Sequence, residues 1–319
     1  MWERNGRRIA KEEHIIVRSP YNIVAGKIET EACEINVAEH CNLGCRGCSH
    51  LSPISSRDFV SPDSLAKDLT TLREFYRPTH IRLLGGEPLL HPNIVSVLLA
   101  VRESGITDRL RLLTNGLLLS RMPVEFWQLV NEVHISSYPG SDMSKDDMKI
   151  CYELARSHNV TLLVRYYDKF RESYTEVGTK NSNLVKRIYA TCQIAHVWRC
   201  HTVANGYFYK CPQSYFLPKL LSHKKGIAVT QDGIRISNSR GFGEELLAYL
   251  NSTTPMAACR YCLGSVGKLF PHEQVRRTNW NEPQERSTEE LLDPAHLMVL
   301  EEIDNGADNR CVSTERKLN

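Results

Sequence analysis

No apolar run in this sequence approaches the roughly 18 residues that a membrane-spanning helix needs. The opening residues, MWERNGRRIAKEEH, hold no apolar stretch long enough for a signal peptide. A strong charge of either sign is also missing, since 40 Lys and Arg against 37 Asp and Glu leave a net charge of +3. That balance is too mild to call for nucleic acid. The basic residues Arg171, Lys180, Lys186, Arg187 and the Arg276-Arg277 pair are interrupted by acids and read as a solvated surface. There are no internal repeats and no low-complexity segment. The expectation is a soluble, cytoplasmic protein that engages neither membrane nor nucleic acid. Its 319 residues suit one large domain, or a barrel with a small second domain.

Cysteine is what the chain has in quantity. There are eleven, and they are unevenly placed. A secreted protein would oxidise them to disulfides, whereas a cytoplasmic one keeps them reduced, so clustered thiols point to metal. Cys41, Cys45 and Cys48 fall within eight residues, and Cys192, Cys200, Cys211, Cys259 and Cys262 follow much later. Cys33, Cys151 and Cys311 stand alone and read as small buried residues.

From residue 33 short apolar runs alternate with amphipathic stretches. Strands are expected at Cys33–Glu39, His80–Leu84, Leu110–Leu113, Val133–Ser137 and Val160–Tyr166. Helices are expected at Pro62–Tyr76 with Ser61 as N-cap, at Asn93–Ser104 with Gly105 as C-cap, at Pro123–Asn131 and at Lys145–Ser157. Such alternation implies parallel strands, right-handed crossovers and an α/β barrel that is incomplete. In barrels of this kind chemistry gathers at the C-terminal strand ends. The cysteine triad, Gly85-Gly86-Glu87-Pro88 and Thr114-Asn115-Gly116 all follow strand ends, so they should share one mouth. Beyond residue 168 the chain reads as polar and irregular to about Val197. A hairpin then turns at Asn205-Gly206, a helix spans about Gly243–Asn251, and an amphipathic stretch at Thr288–Ile303 is expected to pack on the barrel. The implied division is an extension over 1–32, a barrel over 33–190, a cysteine-rich domain over 191–271 and a tail over 272–319.

Cys41-x3-Cys45-x2-Cys48 lies in a loop with Asn42, Gly44 and Gly47. Three thiolates so spaced can hold three irons of a [4Fe–4S] cluster and leave the fourth open. Zinc would want a fourth ligand, which His40 or His50 could supply. The string CNLGCRGC resembles the CxxxCxxC motif of the radical S-adenosylmethionine (SAM) superfamily, and Gly85-Gly86-Glu87-Pro88 resembles its GGEP motif. The resemblance implies a partial (β/α)6 TIM-like barrel, a SAM-binding [4Fe–4S] cluster on the triad, and SAM contacts at Gly85, Gly86, Glu87 and Pro88. It adds Thr114, Asn115 and Ser136 from the next two strand ends. It also implies an electron donor such as flavodoxin or ferredoxin, and reductive cleavage of SAM to a 5′-deoxyadenosyl radical that abstracts hydrogen from the substrate. Gly47 stands where that family usually has an aromatic residue, so the adenine contact falls to other residues, with Ser49, His50 and Leu51 as candidates.

The later cysteines resemble the auxiliary-cluster domain called SPASM or, in its one-cluster form, twitch. Cys192, Gly206 and Cys211 fit its opening spacing, and Cys259 and Cys262 fit its later pair. A second, auxiliary [4Fe–4S] cluster is implied, drawn from Cys192, Cys200, Cys211, Cys259 and Cys262. Zinc has the same ligand list. One thiol is spare, and Cys192 and Cys200 are equal candidates. A spare thiol near the mouth would act catalytically, donating hydrogen to a substrate radical in an epimerase. Without it, the auxiliary cluster would accept an electron in a dehydrogenase.

The strings GGEPLLHPNI, TNGLLL and NGYFYKCP resemble radical SAM proteins of carbohydrate, capsule or aminoglycoside pathways. A small-molecule substrate is therefore expected: a sugar, aminoglycoside or aminocyclitol. The alternative is a peptide or protein maturase with a separate recognition partner. His134, His196, His201, Arg165, Tyr166 and Tyr167 are candidates for lining the mouth, and Glu39 is an acid close to it.

Overall fold

The computed structural model describes residues 20–280 and 284–315. Most of the first 32 residues, and the side chain of Cys311, lie outside the described residues. The strands are β1 (Asn22–Val24), β2 (Lys27–Ala38), β3 (Tyr76–Gly85), β4 (Leu110–Thr114), β5 (Glu132–Ser137), β6 (Thr161–Tyr166), β7 (Lys169–Arg171), β8 (Thr202–Ala204), β9 (Tyr207–Tyr209), β10 (Gly233–Arg235) and β11 (Leu269–Pro271). The helices are α1 (Pro62–Leu72), α2 (Ile94–Ser104), α3 (Val124–Leu129), α4 (Lys145–Ser157), α5 (Ser182–Ala190), α6 (Gln193–His196), α7 (Gln213–Lys225), α8 (Phe242–Asn251), α9 (Arg277–Trp280), α10 (Thr288–Leu291) and α11 (Pro294–Glu315).

One sheet runs in the order β10-β9-β8-β2-β3-β4-β5-β6, with β1 paired to β2 beside it. Strands β8 and β2 to β6 are parallel, and β9 and β10 are antiparallel additions. The fold is mixed α/β around a parallel sheet, as the alternation of sequence patterns implies. The registers Ala38↔Gly85, Leu83↔Leu112, Thr114↔Ile135 and Ser137↔Tyr166 bring the C-terminal strand ends to one edge.

Residues alternate across the pleat, so each strand has two different faces. Ile35, Val37, Ile81, Leu83, Leu110, Leu112, Val133 and Ile135 face helices in one apolar core with Leu65, Leu69, Val97, Val101, Phe126 and Trp127. Truncating a fully buried aromatic such as Trp127 to alanine costs about 3–5 kcal/mol. The opposite face carries Glu34, His80, Arg82, Arg111, Glu132 and His134. Arg82 pairs with Glu34 at 3.4 Å and Arg111 with Glu132 at 2.7 Å.

Several boundaries differ from the sequence expectation for physical reasons. Strand β2 begins at Lys27 rather than Cys33, because Ile28, Thr30 and Ala32 are buried while Lys27, Glu29 and Glu31 turn outward. Helix α1 stops at Leu72, since Tyr76 is fully buried in β3 and its hydroxyl meets Thr30 and His201. The stretch read as irregular contains α5, capped by the Asn181 side chain and buried through Leu184 and Ile188. The amphipathic segment 288–303 packs on α5, at the end of the stretch assigned to the barrel: Leu291, Leu297 and Leu300 join Leu184, Ile188, Leu263 and Val266. No helix among the described residues is long and apolar enough to cross a membrane.

Candidate functional site

The C-terminal strand ends enclose a cavity of about 220 Å³. Its wall includes Cys41, Cys45 and Cys48 from the loop after β2, Gly85 and Gly86 at the end of β3, Thr114 and Asn115 at the end of β4, and Ser136 on β5. Ser49, His50, Tyr138 and Phe170 complete the part that matters here.

Each of these turns is tied to its neighbour. The amide of Gly86 donates to the Ala38 carbonyl at 2.7 Å, and that of Glu87 to the His40 carbonyl at 3.0 Å, so the Gly-Gly turn and the cysteine loop share a backbone seam. Glu87 does not open into the cavity. Its buried carboxylate accepts from the Thr114 hydroxyl at 2.7 Å, the Asn115 amide at 2.8 Å and the Leu89 amide at 3.0 Å. Burial pushes Glu87 up to about 7, against the pull of those three donors. Pro88 opens a buried single turn, Pro88–Leu90, behind it. Asn115 reaches across to the cysteine loop, donating to Asn42 Oδ1 at 2.7 Å and more distantly to Cys41 Sγ at 3.8 Å.

Burial pushes the Cys41 thiol up to about 12 and Cys45 to about 11. Gly47 has φ +67°, and the ring of Phe270 comes within 2.6 Å of where a Cβ would lie. A ring from a segment more than two hundred residues away thus fills the space beside the third cysteine. Tyr138, stacked on His272 at 4.9 Å, and Phe170, edge-on to the same imidazole, supply aromatic surface to the cavity. Ser49 and His50 line it too, whereas Leu51 is buried in a separate core with Tyr209 and Phe216.

The later cysteines are sorted by the fold. Cys192, Cys211, Cys259 and Cys262 line one small cavity with Tyr189, Gln213 and Met256. Burial raises all four thiols, Cys211 to about 12. Cys200 is not among its lining residues. It hydrogen-bonds to Glu34 on the polar face of β2, and burial with that carboxylate raises it. Glu34 lies four residues, roughly 13 Å, down the strand from Ala38. Neither Cys192 nor Cys200 lines the mouth cavity. A single zinc ion would need thiolate sulfurs about 3.8 Å apart. Among the described residues no group of three or more His, Cys, Asp or Glu is gathered to hold one metal ion.

None of the six mouth-lining candidates borders the cavity. His201 is consumed by hydroxyls of Tyr76 at 2.8 Å and Tyr21 at 3.0 Å, and His196 by the Tyr189 carbonyl at 2.8 Å. His134 lies 3.4 Å from Glu132, below Ser136 on the same face of β5. Arg165 and Tyr166 are exposed on edge strand β6, and Tyr167 lies 6.1 Å from the Tyr138 ring. Glu39 accepts from the Tyr215 hydroxyl at 2.8 Å and pairs with Lys219. Sequence reasoning missed Phe170 on β7 and Phe270 on β11, because aromatic residues on short distant strands carry no local signal, and it missed Tyr138, which directly follows β5.

Residues 35–149 match the family model described as "Radical SAM superfamily". Over 101 residues the chain is 33% identical to the GTP 3′,8-cyclase of Trichodesmium erythraeum (strain IMS101) and 35% identical to that of Rippkaea orientalis (strain PCC 8801 / RF-1). Each match covers 30% of this chain and 30% of the relative. Among solved structures, BtrN in complex with AdoMet and 2-DOIA is similar at a TM-score of 0.43 with 16% identity, over 70% of this chain and 82% of that one. The matched residues contain the Cys41–Cys48 loop, the Gly85–Pro88 turn, Thr114, Asn115 and Ser136, and the chain spans less than a third of the length of these curated relatives.

Proposed function

We propose that this chain is a radical SAM oxidoreductase with an auxiliary cluster, acting on a small polar substrate of the sugar, aminoglycoside or aminocyclitol class. One observation carries the reading: Cys41, Cys45 and Cys48 open on the same cavity as Gly85, Gly86, Thr114, Asn115 and Ser136. The donor set fits the cofactors. Three thiols suit three irons of a [4Fe–4S] cluster, and the polar turns beside them suit the amino and carboxylate groups of SAM. When bound, this pair supplies a strongly oxidising carbon radical after one-electron reductive cleavage.

The protein's own residues then orient and shield. Asn115 and Glu87 hold the turn after β4 against the cysteine loop. Tyr138 and Phe170 offer ring surface for the adenine. The four-thiol cavity of Cys192, Cys211, Cys259 and Cys262 is read as the seat of the auxiliary cluster. With no further cysteine lining the mouth among the described residues, oxidation of the substrate is favoured over epimerisation. The substrate class rests on the resemblance of the GGEPLLHPNI, TNGLLL and NGYFYKCP strings.

The test is iron and sulfide per chain after anaerobic reconstitution, in wild type and in a Cys41/Cys45/Cys48 triple alanine variant. About eight irons falling to about four is expected from two four-iron clusters. Wild type should convert SAM to 5′-deoxyadenosine under reducing conditions, and the variant should not. Absence of iron from both proteins would overturn the proposal.

A further inference from the structure

The segment after β11 reads in the sequence as a polar tail without chemistry. In the fold it runs across the cysteine loop as an extra strand. The Arg46 amide donates to the Glu273 carbonyl at 3.0 Å, and the Val275 amide to the Gly44 carbonyl at 2.8 Å, with Cys45 and Gln274 bridged between them. The approach is so close that a Cβ on Gly44 would lie 2.3 Å from the Val275 oxygen, so only glycine admits this strap.

The strap delivers one side chain to the cysteine loop. Gln274 Oε1 accepts from the Gly44 amide at 2.7 Å, and Gln274 Nε2 lies 3.3 Å from Cys45 Sγ. The amide orientation is set by its partner. The Gly44 N–H can only donate, so the carboxamide oxygen must face it and the NH2 must face the sulfur. His272, two residues earlier, is held by stacking on Tyr138, and its Nε2 lies 3.4 Å from Gln274 Nε2. The amide is thus pinned from both sides.

Resting on the cluster reading above, we propose that Gln274 is a positioning residue for the cluster on Cys41, Cys45 and Cys48, fixing the Cys45 thiolate and raising the cluster's reduction potential through Nε2–H···Sγ. The physical reason is charge. A ligating thiolate carries more negative charge in the reduced cluster than in the oxidised one. A hydrogen bond to its sulfur therefore stabilises the reduced form more, and outer partners of this kind tune both potential and ligand orientation. The strap comes from beyond the auxiliary cysteines, so packing of the C-terminal part sets the electron affinity of a centre built near the N-terminus.

The experiment is an EPR-monitored redox titration of reconstituted full-length protein, following the signal that changes when SAM is added. Wild type is compared with Gln274→Leu, which removes the donor, and Gln274→Glu. The Glu variant keeps an acceptor for the Gly44 amide but turns a carboxylate oxygen to the sulfur. With iron content equal to wild type, both midpoints should shift to more negative potential, Glu further than Leu, while the SAM-insensitive signal stays in place as an internal reference. Equal midpoints at equal iron content overturn the proposal. If Gln274→Leu fails to hold iron, Gln274→Glu carries the measurement, and loss of iron from both reduces Gln274 to a folding role and overturns it too. Wild-type protein without iron would instead defeat the cluster reading itself.

Discussion

The Gln213 side-chain amide donates to the Ser49 carbonyl at 2.9 Å, joining the two cysteine-lined cavities through one hydrogen bond. Ser49 directly follows Cys48 and lines the mouth cavity, and Gln213 lies two residues after Cys211 and lines the other. A Gln213→Leu variant should keep its full iron content, because no thiol is touched. It should lose about 1 kcal/mol of stability with the bond. Gln213→Glu, which sets a carboxylate against a carbonyl oxygen, should lose more. Thermal unfolding with iron analysis on the same samples checks both.

The sorting of the later thiols makes a sharp comparison. Cys211→Ala should remove about four irons per chain, because Cys211 lines the four-thiol cavity. Cys200→Ser should remove none and preserve the contact with Glu34. Equal iron loss in the two variants would contradict the grouping.

Glu87 should give the protein a pH signature. Its folded-state value, about 7, stands above the ordinary 4.5. The folded state therefore binds the proton more tightly, and stability falls as pH rises from about 4.5 through 7, by an order of ~3 kcal/mol. Glu87→Gln should flatten that fall. It should also cost about 1–3 kcal/mol at low pH, since the amide turns a donor towards the Asn115 N–H. Denaturant melts of both proteins across pH 4 to 8 would show it, and parallel curves would refute it.

Arg82 offers the opposite experiment on the polar face. Its guanidinium faces Glu34 at 3.4 Å and the exposed Glu31 at 3.7 Å, and burial already raises Glu34. Arg82→Leu strands that carboxylate, and breaking a buried pair costs about 3–5 kcal/mol. The loss should be largest well above the ordinary carboxylate range, where Glu34 must stay ionised. It should shrink towards pH 4.5, where the unfolded chain is protonated as well. Urea midpoints at pH 5 and pH 8 check the sign.

By itself the sequence determined the parallel α/β sheet, the triad of Cys41, Cys45 and Cys48, and the position of Gly85-Gly86 and Thr114-Asn115 at strand ends. These follow from hydrophobic period and short spacing, which are local and survive in one dimension. The hairpin at Asn205-Gly206 was legible for the same reason. Helix α5 had its signal in Leu184 and Ile188 one turn apart, but polar neighbours masked it. Only the tertiary structure decided that Cys192 lines the later four-thiol cavity and Cys200 does not, since one lies before α6 and the other after it, within eight residues of chain. It alone turned Glu87 inward, set Phe270 beside Gly47, and laid Gln274 against Cys45, 229 residues away. Contacts across such separations are chosen by how whole elements pack, because loop closure costs little more for a long chain than for a short one and leaves no trace in local composition.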